Sequence, residues 1–402
     1  MYSYRQSQTV AKEDKLLNTL LQLYCVFLPF EEAMASSFGS VQKILGIIII
    51  VYIFFCYYEQ LVIRRESIPL IVWLLFLALS FFWSDNEANW RYFFQIYAVQ
   101  VIFFLAVESI DMNMINLHKI RLSLIAGAVI SAGILVFMPS ESYLTDEGRR
   151  TVIMFGHTFD PNIVASIMNM GILSAIGEFI ANQTGKVRFL YLASSGWILL
   201  GTLLTGSRGG LISLVVGLLF ILLPELKDKK ESKWTRRFIV LGAAITVFVI
   251  SFLPKNLIEA RFTKNTILGI NELTAGSHNR YTIWEHALEL FQNRMFLGYG
   301  CGNFMNSLAT VYRSSASHNL YILLLIECGI IGSIPFLIFI VSHIRRTVKS
   351  QNFIALGLLV AALVMALSLD SITYKYFWVT LIYVVVAFNQ TKQGNDILIN
   401  SR

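Results

Sequence analysis

Three short segments hold residue types whose chemistry exceeds what an apolar chain needs. The first is LLTGSRGGLISL (203–214), where two apolar runs are separated only by Thr205, Gly206, Ser207, Arg208, Gly209 and Gly210. Its glycines permit a tight turn and a close backbone approach. The next helix starts with unpaired N–H groups and a positive dipole. Arg208 beside that terminus suits a diphosphate, because its planar fork matches phosphate oxygens. The competing reading is an arginine that snorkels to lipid headgroups or carbonyls.

The second segment is GSHNRYTIWEHALELFQNRMFLGYGCGNF (276–304). From Arg280 onward Ile283, Trp284, Ala287, Leu288 and Phe291 recur at helical spacing, so an amphipathic helix begins at Arg280 with Trp284 one turn on. Gly298, Tyr299, Gly300, Cys301 and Gly302 resemble a dinucleotide loop only superficially, since no strand precedes them. They read as a turn that brings the helix back onto its neighbours. The third segment, SSASHNLYILLLIECGIIG (314–332), sets His318 and Asn319 at the start of an apolar helix. Histidine can take a proton near neutral pH, although a lone histidine there can equally cap the helix. Glu327 sits inside that run, where a carboxylate is costly and faces a bundle interior. Asp370 and Lys375 are spaced for an ion pair. Asp160-Pro161-Asn162 reads as a turn into a helix, with Arg149, Arg150 and His157 nearby. His118 and His343 are cytoplasmic in the topology expected below, and His278 and His286 flank or lie on the amphipathic helix. No spacing of His, Cys, Asp or Glu suggests a metal site, and no cofactor is expected.

The elements that must position these residues are hydrophobic. Of 402 residues 56% are hydrophobic and 14% charged, with mean hydropathy +0.63. A soluble domain carries roughly 25% charged residues. The four cysteines form no CxxC pair, and the polar N-terminus does not read as a cleaved signal peptide. Apolar runs long enough to span a bilayer are expected at about 16–30, 44–58, 68–84, 91–108, 120–138, 163–181, 187–204, 209–224, 237–253, 319–341, 353–372 and 375–389. The fold class is therefore an all-α integral membrane protein of about twelve transmembrane helices. Residues 1–253 carry helices one to nine, 254–318 form a large external loop with the amphipathic helix, and 319–402 carry the last three helices and a tail.

The net charge of +7 comes from 32 basic and 25 acidic residues. With both termini cytoplasmic, 20 of the basic residues fall inside, led by ELKDKKESKWTRR (225–237), and 12 outside. Six of those 12 lie in 254–318, which is long enough to translocate regardless of charge. The charge is thus mostly topology and does not require nucleic acid. The other six are Lys43, Arg91, Arg149, Arg150, Arg208 and Lys375. Each opposes the positive-inside tendency and asks for a reason.

The motifs T-G-S-R-G-G (205–210), R-x3-W-x2-A-L with L-G-Y-G (280–300) and S-H-N-x-Y-x5-E-x-G-x2-G (317–332) resemble the O-antigen ligase/polymerase family, as does the Asp160-Pro161-Asn162 turn. WSDNEANWR (83–91) is similar to a segment seen near the fourth span. The resemblance implies a polytopic glycosyltransferase of bacterial surface polysaccharide assembly in the cytoplasmic (inner) membrane. Such an enzyme moves a glycan from undecaprenyl diphosphate to a sugar hydroxyl on the outer face, without a metal and with inversion. Carried onto this chain, it implies His318 as general base, Arg208 and Arg280 as catalytic cations, and Arg149, Arg150, Asn319 and Trp284 as substrate-binding residues. Implied partners are the lipid-linked glycan, an acceptor glycan or lipid A core, membrane lipid and other polysaccharide assembly proteins. The T-G-S-R and L-G-Y-G forms look more like polymerases than ligases. A non-enzymatic flippase is the reading from another class. It would place charges along a path through the membrane, whereas these cations gather at one expected face.

Overall fold

The computed structural model describes residues 13–31, 34, 40–137, 149–154, 157–181, 186–227 and 280–400. The expected ninth span (237–253), most of the basic run 225–237 and His278 lie outside them. Among the described residues, α1 (Lys15–Val26), α2 (Val41–Tyr57), α3 (Ile68–Leu79), α4 (Glu87–Ser109), α5 (Leu117–Phe137), α6 (Pro161–Ala181), α7 (Val187–Leu204) and α8 (Arg208–Lys227) precede the expected loop. Then follow α9 (Arg280–Asn293), α10 (Phe304–Ala309), α11 (Leu320–Lys349), α12 (Phe353–Met365) and α13 (Lys375–Asn400). A two-residue hairpin pairs β1 (Ile153–Met154) with β2 (His157–Thr158).

Eleven of the twelve expected runs thus coincide with helices, but fewer qualify as full crossings. Seven helical stretches among the described residues are long and apolar enough to cross a membrane, and Arg208–Leu222 and Phe353–Met365 are shorter apolar helices. The first run, 16–30, gives only a 12-residue helix followed by a 3-10 turn, Leu28–Phe30, that contains Pro29. Proline removes the N–H that would continue the α ladder.

Helix α6 is the axis of the bundle. Asp160 accepts from the Asn162 N–H at 2.6 Å, and Pro161 takes the first helical position, where a missing N–H costs nothing. Every residue from Pro161 to Glu178 is buried, including the polar Asn162, Ser166, Asn169 and Ser174. It packs between α5 and α7, with α8 and α12 beyond. Gly171 lets the α5 backbone approach, because a Cβ there would lie 2.4 Å from that of Ala128. In lipid, where apolar surface gains little from leaving its surroundings, such close packing holds helices together. Outer helices turn apolar side chains outward, among them Ile44, Phe54 and Phe55 of α2 and Ile334 and Ile338 of α11.

The long α11 is broken at Gly329, whose backbone is left-handed (φ 60°, ψ −167°). The break frees N–H and C=O groups that the 295–300 segment takes up. Ile330 N–H bonds Met295 O at 2.8 Å, Tyr299 N–H bonds Ile326 O at 2.8 Å, and Gly300 N–H bonds Glu327 O at 2.9 Å. The L-G-Y-G segment therefore anchors the turn after α9 to α11, as the expected role of that segment requires. A Cβ at Gly329 would sit 2.4 Å from the Phe296 backbone. Gly329→Ala is expected to lower the melting temperature of the detergent-purified protein. It combines a left-handed penalty of about 1–2 kcal/mol with that overlap, so an unchanged melting temperature contradicts this packing.

Candidate functional site

His318 precedes α11 and is one of two non-glycine residues with positive φ (49°) among those described. Histidine reaches this region more readily than most residues, but the conformation still costs about 1–3 kcal/mol. Asp370, in the turn between α12 and α13, holds it in place. Its carboxylate accepts from the Ser317 hydroxyl and from the N–H groups of His318 and of Asn319, the last at 3.1 Å. Hydrogen bonds to a charged acceptor are worth about 1.5–3 kcal/mol each, enough to offset the strain. Leu320 N–H bonds Ala366 O at 2.8 Å, tying the same two segments together. Asn319 caps α11, its side-chain oxygen accepting from Tyr321 N–H at 3.0 Å and Ile322 N–H at 3.3 Å. That task orients its neighbour.

Helix α9 docks onto this loop through Trp284, whose indole N–H bonds Ser317 O at 2.9 Å. Ile283, Ala287 and Leu290 form its buried face, in agreement with the amphipathic spacing. Docking sets Arg280, one turn earlier, to act on His318. Burial and then the Arg280 charge push the imidazole below its ordinary value, while Asp370 and Asp160 pull it up. Burial raises the Asp370 carboxyl, against the hydrogen bond from Ser317 and the nearby imidazole. One cation and two carboxylates thus face one histidine.

The Arg208 turn meets the same neighbourhood from the α7–α8 side. Ser207 donates to Asn162 Oδ1 at 2.8 Å, two residues from Asp160. Gly209 packs so closely that a Cβ would stand 2.4 Å from Ser368 Oγ, two residues from Asp370. Arg208 lies between these two fixed points and is partly exposed. Arg149 binds Asn162 Oδ1 and Thr205 O, both at 2.9 Å, and so braces this turn. Arg150 is directed elsewhere, capping the end of α5 through Leu135 O at 2.8 Å and Val136 O at 3.2 Å.

Several expectations are corrected. Asp370 and Lys375 do not pair with each other; Lys375 pairs with Glu31, and Asp370 serves the His318 loop. Asp160 is more than a turn former, since its charge reaches His318. Glu327 faces the bundle interior as expected, accepting from Phe304 N–H at 3.3 Å. Cys301, in the 298–302 turn, is buried, with its N–H on Ser80 Oγ at 3.1 Å. The segment 83–91 packs there too, through Asp85–Arg294 at 3.0 Å and Ser84 with Asn303 at 2.6 Å. His343 is fully buried in α11, near Glu108 and Arg346. Together with Glu178 beside His118 and Arg121, these residues form a second ionic region at the opposite helix ends. Sequence reasoning set aside Asp160 and Asp370. The usable signal was a lone carboxylate at each of two helix boundaries.

Residues 193–337 match the Wzy_C family model, O-antigen ligase. The matched stretch includes Arg208, Arg280, Trp284, His318 and Asn319, and stops short of Arg149, Asp160 and Asp370. It supports the O-antigen ligase/polymerase family, whose members are glycosyltransferase-like proteins of polysaccharide biosynthesis. Seven helical stretches among the described residues are long and apolar enough to cross a membrane, as a polytopic relative of that family would need. No curated protein matches the chain.

The opposing charges give a direct test. Histidine-labelled NMR should show His318 titrating below the ordinary value of about 6.5. Arg280→Gln removes a cation that disfavours the imidazolium, so its midpoint should rise. Asp370→Asn removes a favourable carboxylate, so its midpoint should fall. Shifts of the opposite sign contradict the arrangement.

Proposed function

We propose that the protein is a membrane glycosyltransferase that moves a glycan from undecaprenyl diphosphate to a sugar hydroxyl, acting as a polysaccharide polymerase. The observation that carries this reading is the His318 loop, held by Asp370 and docked by Trp284 of the helix that starts at Arg280, with the Arg208 turn clamped alongside. In this reading both termini are cytoplasmic, the 254–318 domain is extracytoplasmic, and the site opens on the outer face.

His318, kept neutral by burial and by Arg280, takes the proton of the acceptor hydroxyl as that oxygen attacks the anomeric carbon. The bond from that carbon to the phosphate oxygen breaks, and its electron pair leaves with the lipid diphosphate. Arg208 and Arg280 stabilise the charge on the departing group in a low-dielectric setting. Attack opposite the leaving group inverts the anomeric centre, and the transferred proton stays on the imidazole, where Asp370 and Asp160 stabilise it. Fixed cations do the work for which a metal would otherwise serve. Arg149 acts indirectly, by holding Asn162 and Thr205 under the Arg208 turn.

The field has a built-in order. A diphosphate on Arg280 cancels the charge that depresses His318, so donor binding strengthens the base when it is needed. The family description, O-antigen ligase, favours a second reading in which the acceptor is lipid A core.

Purified protein in nanodiscs, given a defined lipid-linked repeat unit with and without lipid A core, separates the two. Lengthened lipid-linked product indicates a polymerase, and modified core a ligase. His318→Ala should lower the rate about 10²–10⁴-fold, and Arg208→Ala about 10²–10³-fold, with normal membrane insertion. Unchanged product length and yield in either variant would sink the assignment.

A further inference from the structure

Asn162, the second residue of α6, is 9% exposed and bonded to both sides of the site. Its backbone N–H meets the Asp160 carboxylate at 2.6 Å. Its side-chain oxygen receives Arg149 Nη2 at 2.9 Å and the Ser207 hydroxyl at 2.8 Å. A guanidinium only donates, so the atom that faces Arg149 must be the amide oxygen. Ser207 agrees, since its oxygen accepts from Gly210 N–H at 3.1 Å and its proton goes to Asn162. The orientation of the amide is thereby settled, and its –NH2 group turns away from both partners. That group has no hydrogen-bond partner among the described residues. It is not sealed in the core, as the unpaired Asn169 and Asn303 oxygens are.

The surroundings make this group a donor for an anion. The Arg149 charge on the oxygen draws electron density from the amide, which leaves its N–H groups more positive. Arg208 and the positive end of α8 begin one residue beyond the Ser207 contact. We propose that the Asn162 –NH2 group binds a phosphoryl oxygen of the lipid diphosphate, as a third donor with Arg208 and Arg280. The inference deepens the proposed transfer and rests on it. In that reaction the electron pair of the breaking bond stays on the phosphate oxygen, and a donor already in place stabilises the charge without reorganising. Arg149 and Ser207 are then positioning residues, which act through the amide that they hold.

The test uses the full-length protein in phosphatidylcholine nanodiscs, isotope-labelled at the asparagine side-chain nitrogens for NMR. Added undecaprenyl diphosphate should move one –NH2 signal downfield, and that signal should be missing from Asn162→Asp. Undecaprenol lacks the anion, and phosphatidylglycerol offers only a bilayer phosphate; neither should move it. Asn162→Asp keeps an oxygen for Arg149 and Ser207 but has no N–H to give. It should melt near the parent temperature and bind undecaprenyl diphosphate about tenfold more weakly, the equivalent of about 1.4 kcal/mol. Its transfer rate should fall about 10²–10³-fold. Should that variant not fold, Asn162→Ser assigns the signal, and the lipid response of the unaltered protein decides. A signal that ignores undecaprenyl diphosphate, or one that moves equally with phosphatidylglycerol, overturns the proposal. Parental affinity and rate in Asn162→Asp also overturn it and leave the proposed function standing. Absence of transfer by the unaltered protein from a lipid-linked repeat unit overturns the proposed function, and this role falls with it.

Discussion

The Asp370 carboxylate is the point on which the site depends. It draws the Ser317 hydroxyl and two successive backbone N–H groups onto one oxygen-rich centre, and so holds His318 in a left-handed conformation that an unsupported chain would leave. The strained residue is the one with useful chemistry, as is common where the surroundings over-determine a local geometry. Around this clamp the helix termini fall into place. The start of α11 hangs on the end of α12 through Leu320 and Ala366, and α9 hangs on Ser317 through Trp284.

Membrane burial explains why so few groups suffice. Along the bundle axis α6 is buried from Pro161 to Glu178, and the ion pairs lie toward the ends of the helices. At one end, charges of both signs oppose each other over a partly buried imidazole. In such a setting a unit charge acts far more strongly than in water, so burial and then the charge of Arg280 depress the His318 imidazole. At the other end Glu108 pairs with Arg346, and Glu178 with Arg121 and His118. These resemble structural locks, since a buried charge without a partner is strongly destabilising.

Much of this was legible in the residues themselves, and the remainder was not for identifiable reasons. Hydropathy located the helices because apolar runs of bilayer length have one economical solution. It could not show that the first run stops early at Pro29, or that α11 breaks at Gly329, since both depend on local backbone choices. Arg208, Arg280 and His318 stood out because charge at a membrane boundary needs a reason, and the structure brings their segments together. Arg150 shared the same signal yet caps α5, which spacing alone could not distinguish from substrate binding. Asp370 was paired on paper with Lys375, five residues away. The fold instead sends Lys375 to Glu31, far away in sequence, and leaves Asp370 to the His318 loop. Contacts between residues so distant in the chain are the part that a single sequence does not carry.

The central claim is that Arg280 and the donor's diphosphate act on His318 through one shared field. The titration midpoint of His318, measured by NMR in nanodiscs with and without undecaprenyl diphosphate, tests this most directly. An upward shift is expected on adding the lipid, and a much smaller one in Arg280→Gln, where the depressing charge is already gone. A midpoint that stays fixed or moves down in the unaltered protein would contradict it.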